Sequence, residues 1–222
     1  MHTTLYGTIN APLYVYENGE KKLNITDYAI KKFQKKYKDK ATAENIFAYC
    51  HAVLSSPKYQ KEYEENLKID YPRIPLYKNF DRFVELGKRL IKLQTEFENV
   101  EPNKDLKNEK DFKYMSEDFS MIKLNKEKGI IIFDGKNRIE NIPKKAFDYK
   151  IGTRSALDWI IDYYKPKKLN PQKELHHKTL IENGLNSYDY KNIREYLFEL
   201  IPKVIEISVE TVDIFKELEK LN

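Results

Sequence analysis

The chain has 222 residues and a formal net charge of +5, with 40 lysines and arginines against 35 aspartates and glutamates. Its charged share of 34% is well above the roughly 25% usual for soluble domains, while 13% aromatics is more than a disordered chain carries. Seven glycines and nine prolines exclude collagen-like and low-complexity content. No apolar run approaches the roughly 20 residues that cross a bilayer, and Met1 to Asn10 has neither a basic start nor an apolar stretch, so a cytoplasmic protein without membrane contact is expected. The lone Cys50 excludes an intrachain disulfide and a cysteine-based zinc site.

In chain order, Ala11 to Tyr16 reads as a short strand before the turn Glu17-Asn-Gly-Glu20. Thr26 is placed to cap a helix with Tyr28, Ile30, Phe33 and Tyr37 on one face and lysines opposite. Thr42 opens a second helix, with Ile46, Phe47, Cys50, Val53 and Leu54 at helical spacing, and Ser55-Ser-Pro57 stops it. Ser56 as cap and Pro57 at the first position then predict a helix through Tyr59 to Leu67. Asp70 to Leu76 cannot be helical, because Pro72 and Pro75 push their predecessors into extended geometry. A long helix from Asn79 carries Phe83, Leu86, Leu90, Leu93 and Phe97 on one stripe.

Residues 99–111 are polar and unpatterned and read as a surface connection. Met121–Leu124, Gly129–Phe133 and Arg138–Ile142 form three β-rich runs, and Asp134-Gly between the last two signals a hairpin. Ser155 to Tyr164 predicts a short helix with Trp159 at its centre, and 165–188 a loop rich in lysine and histidine. From Asp189 to Leu221 one long helix is expected to be kinked or split at Pro202, leaving Val204 to Leu218 as a terminal helix. The fold class is therefore α+β, mainly α: a helical bundle with long spacer-like helices and a small antiparallel sheet insert. Residues 1–100 and 121–222 are the expected parts, joined by a connection at 101–120.

Absent motifs narrow the chemistry. There is no Gly-rich phosphate loop, no Walker lysine, no G-x-S-x-G elbow and no H-E-x-x-H. Cys50 and His51 are helix neighbours pointing about 100° apart, so core and flank suit them better than a nucleophile pair. His176 and His177 lie in a lysine-rich loop without an evident third ligand, and Asp158 and Asp162 suit an exposed helix face. No catalytic, cofactor-binding or metal-ligating residue is assigned.

Two basic clusters stand out: residues 31–40 with six lysines and one aspartate, and residues 165–178 with five lysines and one glutamate. Seventeen tyrosines add hydroxyls able to bond phosphates or base edges. Composition of this kind also arises in AT-rich coding sequence without any function, so it does not alone assign a partner.

Three stretches carry more: Glu44 to Tyr63, with Leu54-Ser-Ser-Pro57 inside it; Asn66 to Leu76, with Arg73-Ile-Pro75; and Phe83 to Leu90. With Ala11 to Tyr16 before them, and Asn141-Ile-Pro143, Ala146 to Tyr149, Ser155 to Tyr163 and Ile207 to Val212 after them in order, the chain resembles the C-terminal specificity domain of type ISP restriction-modification enzymes. These are single-chain enzymes joining nuclease, helicase-like ATPase, adenine methyltransferase and target recognition. The resemblance covers about Asn10 to Leu218, poorly at 101–120 and 169–190. The family's Asn-Pro-Pro-Tyr and Walker motifs do not occur here, which implies a C-terminal fragment, excised or from a broken gene, with catalysis elsewhere.

The resemblance implies a module that binds double-stranded DNA and positions the methyltransferase and helicase parts of the same enzyme. S-adenosylmethionine, ATP and magnesium would serve the parent enzyme and none of them this chain. Arg73, Lys78, Arg138, Lys144, Lys145, Arg154, Lys167 and Lys168 are the candidate DNA contacts. Arg138 and Arg154 are the better base readers, since arginine pairs bidentately with guanine, and the lysines serve as sequence-blind anchors. The alternative is a helical interaction module that docks on the methyltransferase core without touching DNA.

Overall fold

Asn18 and Gly19, both at positive φ (53° and 84°), turn strand β1 (Tyr14–Glu17) back onto β2 (Glu20–Leu23). An Asn-Gly pair favours this turn because its left-handed backbone matches the twist of the strands it joins. The partner that the first strand requires is thus the next four residues. Their fully exposed, lysine-bearing pattern has no alternation to announce a strand. The computed structural model describes residues 11–109, 122–133, 137–164, 167–168, 182, 187–188 and 193–221.

The Thr26 hydroxyl caps α1 (Asp27–Tyr37) by accepting the Ala29 N–H at 3.3 Å. Phe33 and Tyr37 are buried, but Tyr28, expected on the same face, is 75% exposed. It stands five residues before Phe33, roughly 140° away around the helix. Thr42 caps α2 (Ala43–Ser55) in the same way. The buried face of α2 is Ile46, Tyr49 and Val53 with Ala48 and Ala52, while Phe47, Cys50 and Leu54 are only half-buried. Packing decides this rotation: a Cβ on Gly87 would lie 1.9 Å from the Ala48 carbonyl oxygen. Only small residues permit so close an approach between α2 and α5 (Phe80–Thr95).

Pro57 opens α3 (Pro57–Glu62) as expected, although the Ser56 side chain makes no cap bond. The single helix expected over this region is two, because the chain breaks at Tyr63 before α4 (Glu64–Ile69). An extended stretch then leads to α5, where Phe83, Leu86 and Leu90 are fully buried. Phe97, placed on that stripe by periodicity, lies past the helix end in a 3-10 turn and is 39% exposed.

Two compact units divide the chain, residues 1–92 with 214–222 and residues 93–213. The first has an aromatic core. Tyr37 stacks on Phe80 at 4.2 Å, Phe33 meets Tyr49 edge-on at 5.6 Å, and Phe83 stacks on Tyr77 at 5.2 Å. Within this unit Arg82 of α5 forms ion pairs with Glu85 and with Glu217, near the C-terminal end of the chain.

The second unit is built on a four-stranded antiparallel sheet in the order β3-β6-β5-β4. The expected runs supply β4 (Lys123–Asn125), β5 (Ile130–Ile132) and β6 (Arg138–Glu140). The fourth strand, β3 (Lys107–Glu109), lies in the stretch read as a connection, and its Lys-Asn-Glu sequence carries no strand signal. Ile131 and Ile139 are paired across the sheet and fully buried. A short hairpin follows, β7 (Lys150–Ile151) with β8 (Arg154–Ser155), then α6 (Ala156–Tyr164).

Ser155 and Asp158 cap α6 reciprocally. The Ser155 hydroxyl accepts the Asp158 N–H at 3.2 Å, and the Asp158 carboxylate accepts the Ser155 N–H at 3.1 Å. In the region read as loop, β9 (Lys167–Lys168) pairs with β10 (Ser187–Tyr188). His176 and His177 lie outside the described residues. The last helix, α7 (Ile193–Leu221), runs unbroken through Pro202. Its buried Leu197, Phe198, Ile201, Val204 and Ile205 join the sheet's Ile131, Phe133 and Ile139 in one core, and burial of that size outweighs the roughly 3 kcal/mol a mid-helix proline costs. The architecture is α+β and mainly helical, with small antiparallel sheets.

Candidate nucleic-acid interface

The stretch Asp70 to Asn79, extended because of its two prolines, presents alternate carbonyls to one side. Three helices each send a tyrosine to that side. Tyr59 of α3 donates to the Arg73 carbonyl at 3.0 Å, Tyr49 of α2 to the Pro75 carbonyl at 2.7 Å, and Tyr37 of α1 to the Tyr77 carbonyl at 2.6 Å. Lys36 adds a bond to the intervening Leu76 carbonyl. Part-buried carbonyls without strand partners need other hydrogen-bond donors, and these hydroxyls supply them. Burial holds the Tyr37, Tyr49 and Tyr59 phenols above their usual range. Part of the chain's tyrosine content is therefore structural, and these three hydroxyls are committed to backbone carbonyls.

This clamp fixes the backbone from which Arg73 and Lys78 project. Arg73 has a 91% exposed side chain and a loose 3.3 Å contact to Asp70, and Lys78 is exposed. Both belong to the first unit.

The other six candidates belong to the second unit. Lys144, in a 3-10 turn over Lys144–Phe147, is exposed. Lys145 beside it is paired with Asp213. Arg138 of β6 contacts Glu140 two residues on, at 3.0 Å. Arg154 is committed further still: it reaches Asp162 at 3.2 Å and the Asp158 carbonyl at 3.1 Å, and its guanidinium lies 4.7 Å from the Trp159 ring centre. Trp159, 44% exposed, anchors its own indole N–H on the Ile151 carbonyl at 2.9 Å. Lys167 and Lys168 take adjacent positions on β9, and their side chains lie outside the described residues.

Arg73, Lys78 and Lys144 face solvent, Arg73 with a loose contact to Asp70, whereas Arg138, Lys145 and Arg154 are less exposed and each has a carboxylate partner. Sequence alone could not separate them, because the partners Asp213 and Asp162 are set by folding. Among the described residues α1 carries a row of exposed cations, Lys31, Lys32, Lys35 and Lys36. Its signal was the first lysine cluster, which carried no assigned site residue.

A groove of about 560 Å³ also opens in the first unit, lined by Ile25, Ile46, Phe47, Leu54, Ile74 and Leu76 among others. Cys50 lies on its wall, its thiol pushed up to about 11 by burial, so it is held as neutral thiol rather than nucleophile. Among the described residues no cluster of His, Cys, Asp or Glu has the makings of a metal site, and no helix is long and apolar enough to cross a membrane.

A mainly helical chain whose clamped extended segment and small sheets carry exposed basic side chains has the build of a target-specificity domain. The chain belongs to the type ISP C-terminal specificity domain family, whose model matches residues 1–200. Among solved structures it resembles a chain of the DrdV–DNA complex, with 34% identity, a TM-score of 0.78, and coverage of 93% of this chain and 21% of that one. A nuclease-deletion mutant of the type ISP restriction-modification enzyme LlaGI, in complex with a DNA substrate mimic, matches at 28% identity and a TM-score of 0.68, over 93% of this chain and 17% of that one. The ATP-dependent type ISP enzyme LlaBIII bound to DNA shares the fold, at 23% identity and a TM-score of 0.74, over 95% of this chain and 14% of that one. The chain spans about a fifth or less of the length of each of these. No curated protein matches it.

Proposed function

We propose that this chain is a non-catalytic DNA-recognition part of a type ISP restriction-modification enzyme, holding duplex DNA for the methyltransferase and helicase parts. The observation that carries the reading is its likeness, over 93% of its length, to segments of two enzymes solved with DNA or a DNA mimic. S-adenosylmethionine, ATP and magnesium would act in those other parts. Arg73, Lys78 and Lys144, being exposed, suit phosphate contacts, and Lys167 and Lys168 join them from β9. Arg138 suits base reading once Glu140 yields, since a guanidinium can pair bidentately with a guanine edge. Lys145 would contact DNA only by leaving Asp213. Arg154, with its fork turned on Asp162 and the Asp158 carbonyl, suits the holding of α6 and β8 in place more than direct contact.

Fluorescence anisotropy with a labelled random 30-base-pair duplex tests the reading. The 222-residue chain should bind at low salt, with affinity falling steeply as salt rises. No binding at low salt would sink it and favour the second reading, docking on the enzyme's other parts through an apolar surface such as the 560 Å³ groove.

A further inference from the structure

We propose that the lysine face of α1 is a phosphate-binding surface for duplex DNA, separate from the candidates named so far and resting on the DNA-recognition reading. Tyr28, Lys31, Lys32 and Lys35 recur at i, i+3, i+4 and i+7, the spacing of one helix face, and all are exposed. The face opposite is Phe33 and Tyr37, which are buried and pin the helix to the unit's aromatic core.

Several of the chain's other cations are paired with carboxylates, whereas this face gathers its lysines on one side of a single helix. Lys22 is bound to Glu17, Lys40 to Asp81, Lys68 to Glu64 and Glu65, Arg82 to Glu85 and Glu217, and Lys145 to Asp213. Lys31, Lys32 and Lys35 have no ion-pair partner among the described residues, and the one acid of α1, Asp27, sits in its first turn. Three like charges within little more than one turn repel one another, which costs helix stability; an anionic surface placed against them relieves that cost. Lys31 to Lys35 spans about 6 Å of helix axis, and duplex DNA offers one phosphate per roughly 3.4 Å of axis on each strand. Charge and spacing both fit about two consecutive phosphates, with the exposed Tyr28 hydroxyl as a neutral donor at the end of the row.

The footing is also firm. Lys36 on the flank of this face holds the Leu76 carbonyl, and Tyr37 holds the Tyr77 carbonyl, so α1 is bound to the extended segment that carries Arg73 and Lys78. An acidic protein surface would satisfy the same lysines, and the test separates it from DNA.

The experiment compares three proteins in the same anisotropy titration from low to high salt: the unaltered chain, the triple variant K31A/K32A/K35A, and a control triple variant K22A/K40A/K68A. The control removes the same formal charge from lysines that have carboxylate partners. Circular dichroism melts confirm that each protein is folded. The proposal expects the α1 variant to lose affinity and to show a salt slope lower by about two, near one per phosphate contact, with the control within about one of the unaltered chain. An unaltered slope in the α1 variant, while the unaltered chain binds, overturns the α1 surface, leaves DNA recognition standing and turns α1 toward a protein partner. Equal losses in both variants overturn it too, by reducing the effect to net charge. Failure of the unaltered chain to bind removes the DNA-recognition reading and this proposal with it.

Discussion

The Tyr49 hydroxyl accepts the backbone N–H of Tyr77 at 2.7 Å and donates to the carbonyl of Pro75 at 2.7 Å. One buried phenol thus satisfies two backbone groups of a segment that has no strand beside it. Removing the oxygen alone leaves a donor and an acceptor unsatisfied. The cost of each is about 1–3 kcal/mol. Y49F should therefore destabilise the protein by about 2–4 kcal/mol in urea unfolding, whereas Y28F, at a side chain 75% exposed, should change it by less than about 0.5 kcal/mol. Equal effects would mean that the clamp contributes nothing.

Gly87 tests packing without conformation. It lies inside α5 with ordinary helical backbone, where alanine is normally the better residue by about 1 kcal/mol. Here its Cβ would fall 1.9 Å from the Ala48 oxygen, a backbone atom that cannot swing away. G87A should destabilise by about 3 kcal/mol or more, because α2 and α5 must part. Gly19 is the opposite case: its φ is +84° and nothing lies within 4 Å of an added Cβ. G19A should cost only the conformational strain, about 1–2 kcal/mol. Thermal melts of the two variants rank them, and the reverse order would refute the close contact between the helices.

The legible parts of this fold were those where one residue carries its own signal. Thr26, Thr42 and Pro57 marked helix starts, Pro72 and Pro75 marked the extended segment, and Asn18-Gly19 marked a turn, since each acts through local backbone chemistry. What could not be read depended on partners far along the chain. Strand β3 is Lys-Asn-Glu and exists because β6 lies beside it. The choice of Tyr49 over Phe47 for the interior of α2 follows from the groups each would meet, the carbonyls of a segment 26 residues later and the close approach of Gly87. The candidate site shows the same division. Arginines and lysines could be counted, but Asp213 and Asp162, which occupy Lys145 and Arg154, are placed by tertiary structure.

Cys50 should be unreactive in the folded protein. With its thiol pushed up to about 11 by burial, only a minute fraction is thiolate near neutral pH, and thiolate is the attacking form. Alkylation by iodoacetamide at pH 7.5 should be slower than for an unfolded control by a factor of ten or more, given a difference of two units from the usual 9.0 and tenfold per unit. Mass spectrometry of the alkylated peptide with and without urea measures it. Equal rates would show the thiol to be open to solvent.

The carboxyl of Asp158 gives a pH prediction. Burial opposes its ionisation, but the hydrogen bonds from Lys126, at 2.5 Å, and from Ser155 outweigh burial and hold it below the usual aspartate range. A carboxylate with a lowered folded-state pKa stabilises the protein fully above its unfolded value, about 3.9, and loses that contribution as pH falls through the folded value. At pH 7 D158N should lose the charged bond to Lys126 and weaken the reciprocal cap on α6, for a cost of about 1–2 kcal/mol. The gap between variant and unaltered chain should be constant from pH 7 down to about 5, then narrow below about pH 4 as Asp158 takes up its proton. S155A, which removes the hydroxyl that caps α6 and bonds Asp158, should show a cost of similar size near neutral pH with less dependence on acid. Melting temperatures of the three proteins across pH 3 to 7 decide the matter: a D158N gap that stays constant to pH 3 would show that the aspartate acts only as a neutral cap, with its ion pair to Lys126 contributing nothing.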